Sequence, residues 1–309
     1  MIMKFRDAMV WTSLIALLGV VGCGSRLPVD YPPNPQRVEL IRLELGAGAG
    51  GAAAAGPELP KPTGWATLTG KFTLVGSAPP AIKLNADKDT ATCAPGGMQP
   101  TVELVKVDGN GGLADVLLFL NTPVPVDDPL WINPAYDASK TETRPDVFDQ
   151  KNCLFLSRIY AMQSTQTVIM KNSDNVAHNA KIDPPGGAKS ANFTIGANDK
   201  GVYEPKGEVG QPFPVSCSIH PWMSAWMISR NNPYFAVTKP DGSFEIKGIP
   251  AGEGLKLEFR AWHESPKFLQ KVTVDGKPAT WSKGKFTLEF KPDETMNINV
   301  AIDASVLPK

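Results

Sequence analysis

The segment Cys217-Ser-Ile-His220-Pro-Trp-Met223, together with His178-Asn179 well upstream, constrains this chain more than any other feature. A thiol, two imidazoles and a thioether can meet at one point only if the backbone carries them there. If Cys217 ends a strand, a tight turn can bring His220 and Met223 back to the same end of a sheet, while His178 arrives from a neighbouring strand. The pattern asks for a β-sandwich with a ligand loop at one end. The alternative is a buried free Cys, a surface His and a core Met that are close by chance, since Cys and Met both pack as hydrophobes. Against that alternative, the chain has only three His and two of them fall in these segments.

Two His and one Cys in a trigonal plane, with a long axial Met, are the donor set of a blue-copper electron-transfer site. His178, Cys217, His220 and Met223 are therefore the candidate metal ligands and one copper per chain the expected cofactor. A catalytic copper cluster would need several more His, and only His263 remains. Trp262-His263-Glu264 offers one His-Glu pair without the second His of a zinc site. No catalytic residue is expected, so the sequence describes a carrier rather than an enzyme, and His263 reads as a packed strand residue. Two rival readings stay open: a copper-binding or delivery protein outside any redox circuit, and a structural cell-envelope protein.

The N-terminus carries an address. Lys4 and Arg6 precede an apolar run from Ala8 to Gly22 that is short for a membrane span, and small residues lead to Cys23. Val20-Val21-Gly22-Cys23 resembles the lipobox of bacterial lipoproteins, which implies a signal peptide over 1–22, lipidation at Cys23 and a membrane-anchored, periplasm-facing protein. An ordinary signal peptide or an uncleaved anchor is the alternative. Either way the chain reaches a compartment where disulfides persist. Losing Lys4, Arg6 and Asp7 turns 31 basic and 31 acidic groups into 29 and 30, a net charge of −1, which offers no footprint for nucleic acid. With Cys23 assigned to lipid and Cys217 to metal, Cys93 and Cys153 are left as candidates for one disulfide, or as two separately buried thiols.

Residues 23–64 are rich in Pro, Gly and Ala and read as a flexible tether, with a short helix possible at Val38–Leu45. From Trp65 onward short alternating runs predict an all-β chain. Strands are expected at Trp65–Val75, Thr101–Val107 and Leu113–Leu120. A Pro- and Asp-rich excursion over Asn121–Asp149 then leads into Leu154–Ala161, Thr165–Lys171, His178–Ile182, Ala191–Ile195, Gly201–Glu204, Phe213–Ser216 and Met223–Ser229. These define a copper-binding sandwich over 65–232. A smaller sandwich is expected over 233–309, from Tyr234 through the Lys239-Pro-Asp-Gly242 turn, with strands at Leu255–Trp262, Gln270–Val274, Lys285–Phe290 and Met296–Ile302.

Val176-Ala-His178-Asn179 and the Cys217-x-x-His220-x-x-Met223 spacing resemble the ligand segments of cupredoxins of the amicyanin and pseudoazurin group. Gly242-Ser-Phe-Glu-Ile246 and Ile249-Pro-Ala-Gly252 resemble the carboxypeptidase regulatory-like (transthyretin-like) module. The whole arrangement is similar to bacterial cupredoxin-domain lipoproteins of the methylamine-utilization-like kind. That resemblance implies a Greek-key copper sandwich in which the Cys217 thiolate is the main electronic path, His178 and His220 complete the plane and Met223 is the weak axial ligand. It also implies that Asn179 ties its loop to Ser218. Pro221 and Trp222 are expected to form an apolar face around an exposed edge of His220, where a redox partner protein docks.

Overall fold

The computed structural model describes residues 59–307. The signal peptide at 1–22, lipidation at Cys23, the helix at 38–45 and nearly all of the tether lie outside the described residues. Within them the chain is all-β, apart from short helical turns. Among them no helix is long and apolar enough to cross a membrane.

Residues 148–230 supply two sheets. One runs Ala191–Ile195, His178–Ile182, Phe213–Ser216, Ser224–Arg230, Ile159–Gln163; the other runs Lys200–Tyr203, Val168–Asn172, Phe148–Lys151, Leu154–Phe155. Their period-2 pattern turns Val168 and Met170 inward and Lys171 outward. Phe148, Met162, Ala180, Val215 and Met227 fill the space between the sheets, together with Cys217 and Met223.

Two further sheets enclose a second core. One is ordered Ser243–Ala251, Gly64–Val75, Thr295–Asp303, Lys271–Val274, Lys277–Thr280; the other is ordered Phe235–Val237, Leu117–Leu120, Lys256–His263, Lys267–Phe268, with Lys285–Glu289 also paired to Lys256–His263. Leu118 and Leu120 face this core, whereas Leu117 and Phe119 face a third apolar layer with Ile159, Ala161, Ile228 and Trp262. Burial on both faces explains why Leu117–Leu120 is uninterrupted apolar sequence rather than an alternating run. The same junction holds a T-shaped Trp226–Trp262 pair at 5.2 Å and a buried bidentate ion pair, Arg158 to Glu264, at 2.6 Å.

This arrangement corrects the expected boundary between 65–232 and 233–309. Gly64–Val75 pairs antiparallel with Ser243–Ala251 and parallel with Thr295–Asp303, and Leu117–Leu120 lies between Phe235–Val237 and Lys256–His263. Leu68, Phe72 and Leu74 bury their alternating face in the C-terminal core, not in the one that holds the Cys loop. The strands of 148–230 are therefore inserted between the two parts of the other unit.

Smaller corrections follow from the same packing. Leu154–Ala161 is two strands, Leu154–Phe155 and Ile159–Gln163, in different sheets. Of Thr101–Val107 only Thr101–Val102 is a strand, paired with Ile82–Lys83. The excursion over 121–149 is anchored by buried Trp131 and Ile132. The Tyr234 hydroxyl donates to the Trp131 carbonyl at 2.8 Å and accepts from the Asn133 N–H at 3.1 Å.

Candidate metal centre

The site is assembled at one end of the inserted sandwich. His178 opens the strand His178–Ile182, Cys217 follows the strand Phe213–Ser216, and the turn between them and Ser224–Arg230 carries His220 and Met223. Two backbone bonds fold that turn: Met223 N–H donates to the His220 carbonyl at 3.0 Å, and Cys217 N–H to the Met223 carbonyl at 3.3 Å. Antiparallel pairing of Phe213–Ser216 with both His178–Ile182 and Ser224–Arg230 places the segments side by side.

The sulfur of Cys217 and ring nitrogens of His178 and His220 all lie within 4.8 Å of one another, and all three residues are buried. The two imidazoles meet through their Nδ1 atoms at 2.9 Å, and the Cys217 Sγ is 3.9 Å from the His220 Nδ1. Met223 is fully buried in the hydrophobic core that also takes in Cys217. Cys217 is the free cysteine among the described residues. Its Sγ accepts from the Asn179 N–H at 3.2 Å and from the His220 N–H at 3.4 Å, an environment suited to a thiolate. The Asn179 Oδ1 accepts from the Ser218 N–H at 3.1 Å, linking the two ligand segments as the resemblance implied.

Two carboxylates complete the arrangement, and sequence reasoning missed both. The His178 Nε2 lies 2.7 Å from Asp174 and the His220 Nε2 lies 2.8 Å from Asp89. With each Nε2–H donated to its carboxylate, both Nδ1 atoms present lone pairs to the same point. At 2.9 Å two such lone pairs repel unless a proton or a metal cation lies between them. Asp174 also accepts the N–H groups of Asn152 and Cys153, at 2.7 and 2.8 Å.

Titration follows from these contacts. Burial pulls His178 down, but the bond to Asp174 and the sulfur of Cys217 outweigh it and lift the imidazole to about 9. Burial alone would raise the Cys217 thiol; hydrogen bonds from His178 and from backbone N–H groups more than offset that, so it lies below the ordinary thiol value. Burial lowers His220, and the charge on His178 reinforces this against the pull of Asp89. The same contacts thus ease loss of the Cys217 proton and hold one on His178, and a cation bound between the donors would take that proton's place.

Cys93 and Cys153 are joined in a disulfide with a Cα–Cα distance of 5.2 Å. The expected docking face needs correction. His220 has no exposed surface, because Asp89 and its neighbours cover the imidazole edge that was expected to be open. Pro221 is exposed, while Trp222 is half-buried with its ring 5.0 Å from His220 and its Nε1–H donated to the Cys153 carbonyl. His263 is buried in the other unit, away from the three donors, and its Nδ1 accepts from the Ser265 N–H.

No protein-family model matches the chain, and no curated protein matches it. Among solved structures it is similar to a copper-containing nitrite reductase from Thermus scotoductus SA-01, at 17% identity over 28% of this chain and 22% of that one, with a TM-score of 0.26. It is also similar to amicyanin from Paracoccus versutus (Thiobacillus versutus), at 13% identity over 37% of this chain and 97% of that one, with a TM-score of 0.25. The chain thus spans about a fifth of the nitrite reductase and nearly all of the amicyanin. Likenesses of this size carry no inference about function, and what the site can do follows from its own atoms.

Proposed function

We propose that the protein binds one copper ion in a type 1 site and serves as an electron carrier, held to a membrane by lipid at Cys23 and facing the periplasm. The observation that supports this reading is the convergence of the Cys217 sulfur and ring nitrogens of His178 and His220 within 4.8 Å, all three residues buried, with each imidazole fixed from behind by a carboxylate. A His2Cys set whose ligand loop also carries a buried methionine suits copper, and copper bound there would supply a one-electron couple.

The residues of the chain do the rest. Cys217, His178 and His220 offer their donors, and Met223 closes the loop from within the core. The Asn179–Ser218 bond and the backbone N–H groups on Cys217 restrain both ligand segments, which lowers the rearrangement that accompanies a change of charge. Copper delivery is the weaker reading, since a cargo site needs a ligand that can leave and His220 is buried and held. A redox partner protein approaches across Asp89 and Trp222 rather than on a bare imidazole.

Substitution tests the assignment. Cys217→Ser removes the intense visible absorption of the Cu(II) form, whereas Met223→Leu keeps it and raises the reduction potential. Retained intense colour in the Ser variant contradicts the reading.

A further inference from the structure

Asp89 is 131 residues from His220 in sequence, yet its carboxylate bonds the imidazole at 2.8 Å. Its side chain is 44% exposed while that of His220 is 0% exposed, so Asp89 stands between the ligand and solvent. Its backbone is left-handed, with φ 48°, a conformation that costs energy in a non-glycine residue and that Asp tolerates better than most. Several contacts pin it there. The Thr92 and Cys93 N–H groups donate to the Asp89 carbonyl at 2.8 and 2.9 Å. Upstream, Ala86 is fully buried and its N–H donates to Gln99 Oε1 at 2.6 Å. Downstream, Cys93 is bonded to Cys153, whose own N–H donates to Asp174, the partner of His178. The contacts form a closed circuit: His220, Asp89, Cys93, Cys153, Asp174, His178.

We infer that Asp89 is a positioning residue of the metal centre and that the Cys93–Cys153 disulfide is the strut that delivers it. The inference rests on the copper reading above for its effect on potential, and on geometry alone for its effect on access. Cys93 and Cys153 are 2% and 0% exposed, so the disulfide is closed off from reductants in solution. Asp89 fixes the Nδ1 of His220 toward the thiolate and, as an anion on the Nε2–H, makes the ring a stronger donor to the more highly charged oxidation state. Its charge-assisted bond to the imidazole also holds its loop over the donors, and so keeps reagents in solution from them.

Two measurements test this, one of which needs no metal. In the metal-free protein, Asp89→Asn should speed alkylation of Cys217 by iodoacetamide at least tenfold, with the site of labelling mapped by mass spectrometry. In the copper-loaded protein the same variant should lose Cu(II) affinity about tenfold relative to Cu(I), which raises the one-electron potential by about 59 mV. Asp89→Glu should recover most of both effects, since it keeps the charge. The Cys93→Ala/Cys153→Ala pair should match Asp89→Asn, and adding Asp89→Asn to that pair should change little further, because both act through one contact. If the pair fails to fold, as judged by near-ultraviolet circular dichroism, Asp89→Asn still decides, since it leaves the disulfide intact. Unchanged labelling and potential in Asp89→Asn overturn the inference. A shift in Asp89→Asn with none in the folded Cys pair overturns the role of the strut. A wild-type protein that takes up no copper defeats the proposed function instead, and the labelling result then stands by itself.

Discussion

Asn179→Ala removes a side chain that does two jobs. Its Oδ1 accepts from the Ser218 N–H at 3.1 Å, and its Nδ2 donates to the Asn192 Oδ1 at 2.7 Å and to the Phe193 carbonyl at 3.2 Å. Each such bond contributes about 1 kcal/mol net. Ser218 and Asn192 are exposed and recover water once freed, so the whole loss is about 2 kcal/mol rather than the full sum. For a folded unit of this size that lowers the melting temperature by roughly 4–8 °C. The N–H of Asn179 still reaches Cys217, because the backbone is retained. What is lost is the tie between the two ligand segments, and metal affinity should fall about 10- to 100-fold. Calorimetry of the metal-free protein and chelator competition on the loaded protein give the two numbers separately. A melting temperature within about 1 °C of wild type, with unchanged affinity, would show that the tie between the loops carries no weight.

Other consequences can be checked independently. Glu264→Gln leaves the buried Arg158 guanidinium without its counter-charge and should cost about 3–5 kcal/mol, whereas Arg158→Met/Glu264→Leu should be nearly neutral; urea denaturation of both variants tests the contrast. Burial, with Arg158 and Lys267 nearby, pushes His263 down to about 4 from an ordinary 6.5, so it is neutral in the fold but takes up a proton on unfolding at lower pH. Its contribution is complete above about pH 6.5 and is lost as pH falls toward 4, about 3 kcal/mol in all. Urea midpoints at pH 7 and pH 4 should show that fall, and His263→Asn, which keeps an acceptor for the Ser265 N–H, should flatten it.

The parts of this protein that were legible in the sequence are those that local pattern encodes. Alternation marks His178–Ile182 and Phe213–Ser216, and the Cys217-x-x-His220-x-x-Met223 spacing marks a turn that folds back on itself. What pattern does not encode is which strand completes which sheet. Gly64–Val75 alternates equally well whichever core it faces, and only its long-range pairing with Thr295–Asp303 reveals that 148–230 is an insertion. The carboxylates were hidden for a related reason. Asp174 lies in Asn172-Ser-Asp-Asn175, which reads as an ordinary turn, and Asp89 lies in a polar loop with no motif. Their roles arise from tertiary contacts, in the case of Asp89 through a disulfide whose pairing placed a distant loop over His220. An exposed imidazole edge was a sound expectation for a ligand on an end loop, and it failed because another segment covers that end.

The proposed copper site joins Cys217, His178 and His220 through a thiolate bond. The most direct measurement is a Cu(II) titration of the purified, metal-free protein followed by visible absorption and electron paramagnetic resonance. A type 1 site gives an intense blue band that saturates at one equivalent, disappears on reduction and returns on reoxidation. A colourless complex, or binding undiminished when Cys217 is blocked by alkylation, would contradict it.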